Sequence, residues 1–164
     1  MDIQQFFKVC KMPDTFYSWY LVTELHLWML CTRLMAEGTE GKVVRDTLLK
    51  TLWMDVEERA KKLEGSNVSA RKEQVQELTE HFRTSFLSYD ESLDGDDRIL
   101  ASALWRIFFQ KECYDLKRLE TCVNFVRKNI ALLDSIPKGE IIVKRKLRFL
   151  PLLDVDQLRH DAML

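Results

Sequence analysis

The chain has 164 residues, of which 46% are apolar and 31% are charged, and its formal net charge is −1. This composition excludes a disordered chain, and the balanced charge argues against a sequence-specific nucleic-acid binder. Glycine and proline number only five and three, which is too few for the many tight turns of a β-sandwich or barrel. We therefore expect an all-α, single-domain helical bundle with one core.

Hydrophobic periodicity predicts about five main helices after a short amphipathic segment at the N-terminus. The first main helix runs from about residue 15 to residue 37, with Asp14 or Thr15 as its cap and Gly38 as its end. Apolar residues occupy nearly every angle of this helix, so we expect it at the centre of the bundle. The short segment is predicted at residues 2–11, and the other helices at residues 42–63, 69–88, 97–111 and 116–133, with an acidic turn at residues 90–97.

The C-terminal part of the chain differs in composition from the rest. Pro137 and Gly139 are expected to end the helical domain, residues 1–136, and to leave residues 137–164 as a tail. We expect the tail to be either an extended arm or a strand without an obvious partner. Its mixed basic and apolar character predicts contact with anionic lipid, RNA or an acidic partner, unless the arm folds onto the bundle. The basic residues concerned are Lys144, Arg145, Lys146 and Arg148.

No metal-binding or catalytic motif is present in the sequence. The acidic segment that begins at Asp90 resembles a calcium-binding loop, but Ala101 stands where the bidentate glutamate belongs. The four cysteines lack zinc-site spacing and are expected to be buried thiols in a reducing compartment. Neither a nucleophile motif nor a phosphate-binding loop occurs. We predict that the protein is not an enzyme and that it holds no metal or cofactor.

The histidines suggest one alternative function, which is the binding of a cofactor. The three histidines, His26, His81 and His160, form no His-Glu-x-x-His motif and no Glu-x-x-His pair. His26 lies in the aromatic first helix with Met29 about one turn further along. A haem- or cofactor-binding bundle with His26 as an axial ligand is therefore the alternative to a protein-binding function.

Glu24 lies among aromatic side chains on one side of the first main helix. A carboxylate in such surroundings is either paired within the chain, with Arg106 or Arg127 as candidates, or placed at a surface that a partner covers. The same acid argues against a membrane span at this helix. The candidate contact residues are Tyr17, Tyr20, Glu24 and Trp28, with His26 and Arg33 on another side of the helix as the second choice.

Several segments in a fixed order resemble one protein family. The stretch DTFYSWYLVTELHLWML, residues 14–30, resembles the signature helix of the ubiquinol-cytochrome c chaperone family. The Glu37-Gly38 turn, the residues Tyr89-Asp90-Glu91 and the stretch ALWRIFF, residues 103–109, are similar to the same family. The resemblance covers roughly residues 12–133, and no match is found for the tail after Pro137.

The resemblance implies an all-α domain without catalysis that acts as an assembly factor for ubiquinol-cytochrome c reductase, respiratory complex III. The implied client is newly made cytochrome b, handled with a small partner assembly factor near the mitochondrial ribosome. The implied location is the matrix side of the mitochondrial inner membrane, with peripheral membrane association. The N-terminus has no presequence character, so we expect a processed or trimmed chain, and related α-proteobacterial proteins leave the compartment open.

Overall fold

The structure, a computed structural model, describes residues 2–65 and 67–153 as a bundle of helices, and this described part contains no strand. The all-α prediction is confirmed. The helices are α1 (Ile3–Val9), α2 (Phe16–Met35), α3 (Gly38–Glu64), α4 (Val68–Leu93), α5 (Asp97–Ile107), α6 (Leu116–Ser135) and α7 (Lys138–Ile142).

Helix ends follow the capping residues of the sequence. The side chain of Thr15 accepts a hydrogen bond from the backbone N–H of Ser18 at 3.2 Å and so begins α2. Asp115 begins α6 in the same way, by accepting from the N–H of Lys117 at 3.0 Å. Each cap satisfies a backbone donor that the first turn of a helix leaves without an intrahelical partner.

Helix α2 lies at the centre of the bundle, as its sequence predicts. It contacts α1, α3, α4 and α6. Most of its residues are buried, and the apolar ones divide among three neighbouring clusters of the core. A helix that is apolar on most sides is stable only where other elements cover those sides, and here four helices do so.

Three predicted boundaries are wrong. Helix α5 ends at Ile107 rather than at residue 111, and Gln110 and Lys111, with φ of +51° and +66°, lie outside the helical conformation. Gly38 was expected only to end the preceding helix, but α3 begins at this residue, whose φ of +64° suits glycine. Helix α4 continues to Leu93, so the first half of the predicted acidic turn is helical. The extra turns are held by tertiary contacts, because Trp28 Nε1 donates to Asp90 Oδ1 at 2.8 Å and Tyr89 is buried beside it.

The tail is not extended throughout. Pro137 ends α6 but also precedes α7, because a proline at a helix start removes no N–H that the helix needs. The buried Ile141 fixes α7 against the core cluster that contains Leu30 and Leu34. Residues 154–164 of the predicted tail, including His160, lie outside the described residues, and the division of the chain at residue 137 stays a prediction.

The last described residues fold back onto the bundle. Asn129 Oδ1 on α6 accepts from the N–H of Leu150 at 2.7 Å, and Gln5 Oε1 on α1 accepts from the N–H of Leu152 at 2.8 Å. Leu152 and Phe149 pack against the main core cluster. These contacts favour the interpretation of the tail as an arm folded onto the bundle.

Candidate partner-binding surfaces

The predicted contact face of α2 lies inside the bundle. The side chains of Tyr20, Glu24 and Trp28 are fully buried, and Tyr17 is partly buried. Helices α3 and α4 cover this side of α2, since Tyr20 packs with Leu52 and Leu78. Contact of this face with a partner stays a prediction.

Glu24 has partners on its own helix and on α4. The hydroxyl of Tyr20 donates to Glu24 Oε1 at 2.9 Å, and His81 Nδ1 lies 3.2 Å from the same oxygen. Glu24 Oε2 is buried and has no hydrogen-bond partner among residues 2–65 and 67–153. The candidate partners Arg106 and Arg127 are wrong, because Arg106 is exposed and Arg127 binds Asp97. Sequence spacing could not find His81, which is 57 residues away.

Burial and the charge of Glu24 act together on the neighbouring phenols. Burial, and then the carboxylate of Glu24, raise the pKa of Tyr17 to about 12. The same two causes, in the same order, raise the pKa of Tyr20 far above its usual value. Both hydroxyls therefore stay protonated at physiological pH, and the hydroxyl of Tyr20 acts as a hydrogen-bond donor to Glu24.

His26 and Arg33, the second choice of contact residues, are also buried. Arg33 joins α2 to the C-terminal end of α6. Arg33 Nε donates to the carbonyl of Leu133 at 2.9 Å, and its Nη2 donates to the carbonyl of Ile136 at 2.9 Å, while Nη1 pairs with Glu37. The last carbonyls of a helix lack intrahelical partners and attract cations. Arg33 thus satisfies the C-terminal end of α6, and its buried position favours a structural role.

His26 is enclosed by aromatic rings. Its ring centroid lies 5.3 Å from that of Phe6, 5.4 Å from that of Phe125 and 4.8 Å from that of Phe149. Nδ1 lies 2.7 Å from the carbonyl of Val22, and burial lowers the pKa of His26 to about 4. Binding of haem at this imidazole would require the displacement of packed aromatic side chains, so the geometry does not favour the haem alternative.

The cysteine side chains are buried, as expected. Cys10 Sγ and Cys122 Sγ lie 3.6 Å apart, and the hydrogen bond to Cys10, followed by burial, raises the pKa of Cys122. Burial raises the pKa of Cys31 to about 12. A thiol with a raised pKa is a poor nucleophile at neutral pH, so these two residues offer no reactive thiolate.

An apolar groove that the sequence analysis missed lies between α1, the start of α2 and the end of α3. Its volume is about 420 Å³. The guanidinium of Arg59 lies over the ring of Trp19, 3.9 Å from its centroid, and closes one side of the groove. The sequence signal for this groove was the pair Phe16 and Trp19, which alternate with the tyrosines of the same aromatic stretch. The apolar lining residues are Ile3, Phe7, Phe16, Trp19 and Leu63.

The basic residues of the tail lie in an exposed irregular segment after α7. We call residues 143–148 the basic segment. Lys144 pairs with Glu140, whereas Arg145, Lys146 and Arg148 have no side-chain partner within the described parts of the chain. Val143 is 78% exposed and Leu147 is 36% exposed, so apolar and cationic side chains share this surface. No helix in the described ranges is both long enough and apolar enough to cross a membrane.

Comparison with known proteins gives consistent matches over most of the chain. Residues 8–149 match the family model described as ubiquinol-cytochrome C chaperone, a range that includes the start of the tail, where the sequence analysis found no match. Relatives named ubiquinol-cytochrome c reductase complex assembly factor 1 include those of Drosophila melanogaster, 44% identical, and Homo sapiens, 39% identical. The mitochondrial protein CBP3 of Saccharomyces cerevisiae is 26% identical.

These matches cover the chain and its relatives to different extents. The alignments include 90%, 93% and 89% of this chain for the fly, human and yeast proteins. They include 58%, 51% and 44% of those three proteins. The chain thus spans about half the length of these relatives. No solved structure matches the chain.

Proposed function

The chain belongs to the ubiquinol-cytochrome c chaperone family, and from this membership we propose that it acts in the assembly of ubiquinol-cytochrome c reductase, respiratory complex III. The observation that carries the proposal is the 44% identity over 90% of the chain to a relative named for that role. The client is newly synthesised cytochrome b, which the chain binds and stabilises together with a small partner assembly factor. The place of action is the matrix side of the mitochondrial inner membrane, near the ribosome.

The proposed role is binding rather than catalysis. The thiols of Cys31 and Cys122 have raised pKa values, and the imidazole of His26 is enclosed. A chaperone of a membrane protein instead needs apolar surface that a polypeptide can cover. The groove between α1, α2 and α3 provides such a surface.

Among the predicted contact residues, Tyr17 is the one whose side chain remains partly exposed. We propose that Tyr17 contacts the client directly, together with its neighbours Phe16 and Trp19, which are also partly exposed. The buried residues hold α2 in position behind this surface. They are Tyr20, Glu24, His26, Trp28 and Arg33.

The test is recovery of cytochrome b with the tagged chain from mitochondria whose translation products are pulse-labelled. We expect cytochrome b to be enriched over the other labelled products. Leu63→Glu, at the groove, should lower the recovery, because it places a charge in the apolar contact. Leu87→Glu is the matched control, since Leu63 and Leu87 are 61% and 62% exposed. Equal recovery of all labelled products with the unaltered chain would contradict the proposal.

A second candidate function is peripheral binding to an anionic membrane through the basic segment. The supporting observation is that Arg145, Lys146 and Arg148 lie exposed beside exposed Val143 and Leu147. Cations near an anionic surface contribute about 1 kcal/mol each, and apolar side chains add to this by insertion. Such binding would keep the chain beside the membrane into which its client is inserted.

Sedimentation with anionic and with neutral vesicles tests this second function. The variant R145Q/K146Q/R148Q should lose binding to anionic vesicles. The control K50Q/K61Q/K72Q changes the net charge by the same amount at exposed positions and should bind as the unaltered chain does. Loss of binding in both variants would show that vesicle binding depends on the net charge of the chain and not on the basic segment. Salt-dependent binding to RNA without binding to vesicles would instead identify RNA as the partner of the segment.

A further inference from the structure

A second cavity is lined by aromatic and polar groups, and one of its lining residues, His81, contacts the buried carboxylate of Glu24. Its volume is about 400 Å³. Phe16 and Tyr17 of α2 form one wall, and Gln74, Glu77 and His81 lie along α4. Because residues three and four apart share one face of a helix, these three side chains of α4 point to the same side. The cavity therefore combines aromatic rings with a carboxylate, an amide and an imidazole.

Two buried hydrogen-bond acceptors lie at or behind this cavity without a donor. The single hydroxyl hydrogen of Tyr20 is shared between Glu24 Oε1 at 2.9 Å and the carbonyl of Leu78 at 3.2 Å. Within the described chain, Glu24 Oε2 and Gln74 Oε1 are both buried and have no partner. Buried acceptors without donors are rare and costly in folded proteins. A ligand that brings a donor would remove this cost at Gln74, which lines the cavity and whose amide can rotate, whereas the fully buried Glu24 acts on the cavity through its charge.

The charge around the cavity also favours a ligand that donates hydrogen bonds, and in particular a cationic one. Glu24 is fully buried, and the groups that contact its Oε1 are a phenol and an imidazole rather than an arginine or lysine. Glu77 adds a second carboxylate at the mouth, and its charge raises the pKa of Tyr17 after the effects of burial and Glu24. Aromatic faces also attract cations. Both the walls and the acceptors therefore favour a positively charged donor.

We propose that this cavity binds the cationic side chain of a partner polypeptide, a lysine ammonium or an arginine guanidinium. Glu77 accepts its hydrogen bonds, and Phe16 and Tyr17 flank it. Gln74 Oε1 accepts a further bond once its amide rotates towards the ligand, and Glu24 supplies negative charge from behind. The inference rests on the proposed function for the statement that the ligand is a polypeptide. It assigns to the chain a polar recognition site distinct from the apolar groove on the other side of Phe16.

The test is NMR titration of the purified chain with three short peptides. Two carry one arginine or one lysine between glycines with blocked ends, and the third carries citrulline, which is neutral but has nearly the shape of arginine. We expect the two cationic peptides to shift the side-chain amide signals of Gln74 and the ring signals of Tyr17 and His81. The citrulline peptide should bind about tenfold more weakly, because it lacks the charge.

Matched variants assign the binding to the cavity. Glu77→Gln should weaken the binding of the arginine peptide severalfold. Glu73→Gln, one turn earlier on α4 and exposed, should leave it unchanged. Glu24→Gln keeps the shape of the buried side chain and should also weaken binding, and the unchanged amide spectrum elsewhere would show that it folds.

Several outcomes would overturn the inference. They are equal binding of the citrulline peptide, equal effects of E77Q and E73Q, or no shift of the Gln74 signals. Tighter binding of free spermidine than of either peptide would identify a small amine rather than a polypeptide as the ligand. All of these measurements use the purified chain, so their failure is distinct from failure of the cytochrome b recovery experiment.

Discussion

Buried polar residues of α2 are fixed by partners that lie far away in the sequence. Trp28 donates to Asp90, and Arg33 donates to carbonyls about 100 residues later. Of the two alternatives that the sequence left open for Glu24, the structure shows the pairing within the chain, but with other partners than the predicted arginines. A pairing rule based on charge favours arginine, whereas the fold places His81 and Tyr20 at that carboxylate. At the scale of the residue, the type of environment was predictable and the identity of the contact was not.

His26 makes the stability of the chain depend on pH. Burial lowers the pKa of His26 from 6.5 to about 4, so below about pH 6.5 the unfolded chain binds a proton that the folded chain does not. Stability from this residue is therefore lost as the pH falls from 6.5 towards 4. Between pH 7 and pH 5 the free energy of unfolding should fall by about 2 kcal/mol more in the unaltered chain than in His26→Phe.

Urea unfolding of both proteins at the two pH values measures this difference. The comparison removes the contribution of every other titrating group, because both proteins share them. Equal pH dependence in the two proteins would show that His26 titrates normally and is not held in the aromatic cage.

At the scale of the element, helix positions were predictable because their signals are local. Thr15 and Asp115 are capping residues with a hydrogen-bonding side chain, and each begins a helix, Thr15 as one of the two predicted caps. Helix α7 was missed because its only local signals, Pro137 and Gly139, usually mark a helix end. What fixes α7 is the burial of Ile141 against Leu30 and Leu34, which is a tertiary contact that spacing alone does not reveal.

Arg33 joins α2 to the C-terminal end of α6, and a lysine cannot replace its planar guanidinium. We expect Arg33→Lys to lower the free energy of unfolding by about 1 to 3 kcal/mol, because buried carbonyls lose their donors. Arg98→Lys is the control, since Arg98 pairs with Asp96 at an exposed position and should change stability by less than about 0.5 kcal/mol. Thermal or urea unfolding measures both. A loss in Arg33→Lys no larger than that in the control would contradict the role of Arg33.

The end of the described tail depends on Asn129. The variant Asn129→Leu removes the acceptor of the Leu150 N–H, so amide hydrogen exchange in residues 149–153 should become about tenfold faster or more. Glu120→Leu, on the same helix but exposed, should leave that exchange unchanged. Exchange of this segment at the same rate in all three proteins would show that the buried leucines alone hold the tail.

At the scale of the whole molecule, our proposals assign binding to three different surfaces within the described residues. The apolar groove beside α1, the acceptor-lined cavity beside Glu24 and the basic segment after α7 differ in chemistry, which suits a protein that contacts a client, a partner and a membrane. The sequence indicated the basic segment directly. It could not indicate the groove or the cavity, because both form only where separate helices meet, as Trp19 meets Arg59.

The central claim is a role in complex III assembly, and native gels of respiratory complexes from cells that lack this protein test it most directly. We predict loss of assembled complex III, with pulse-labelled cytochrome b synthesised but short-lived, and recovery when the unaltered chain is restored. Normal amounts of complex III, together with stable cytochrome b in cells without the protein, would contradict the account.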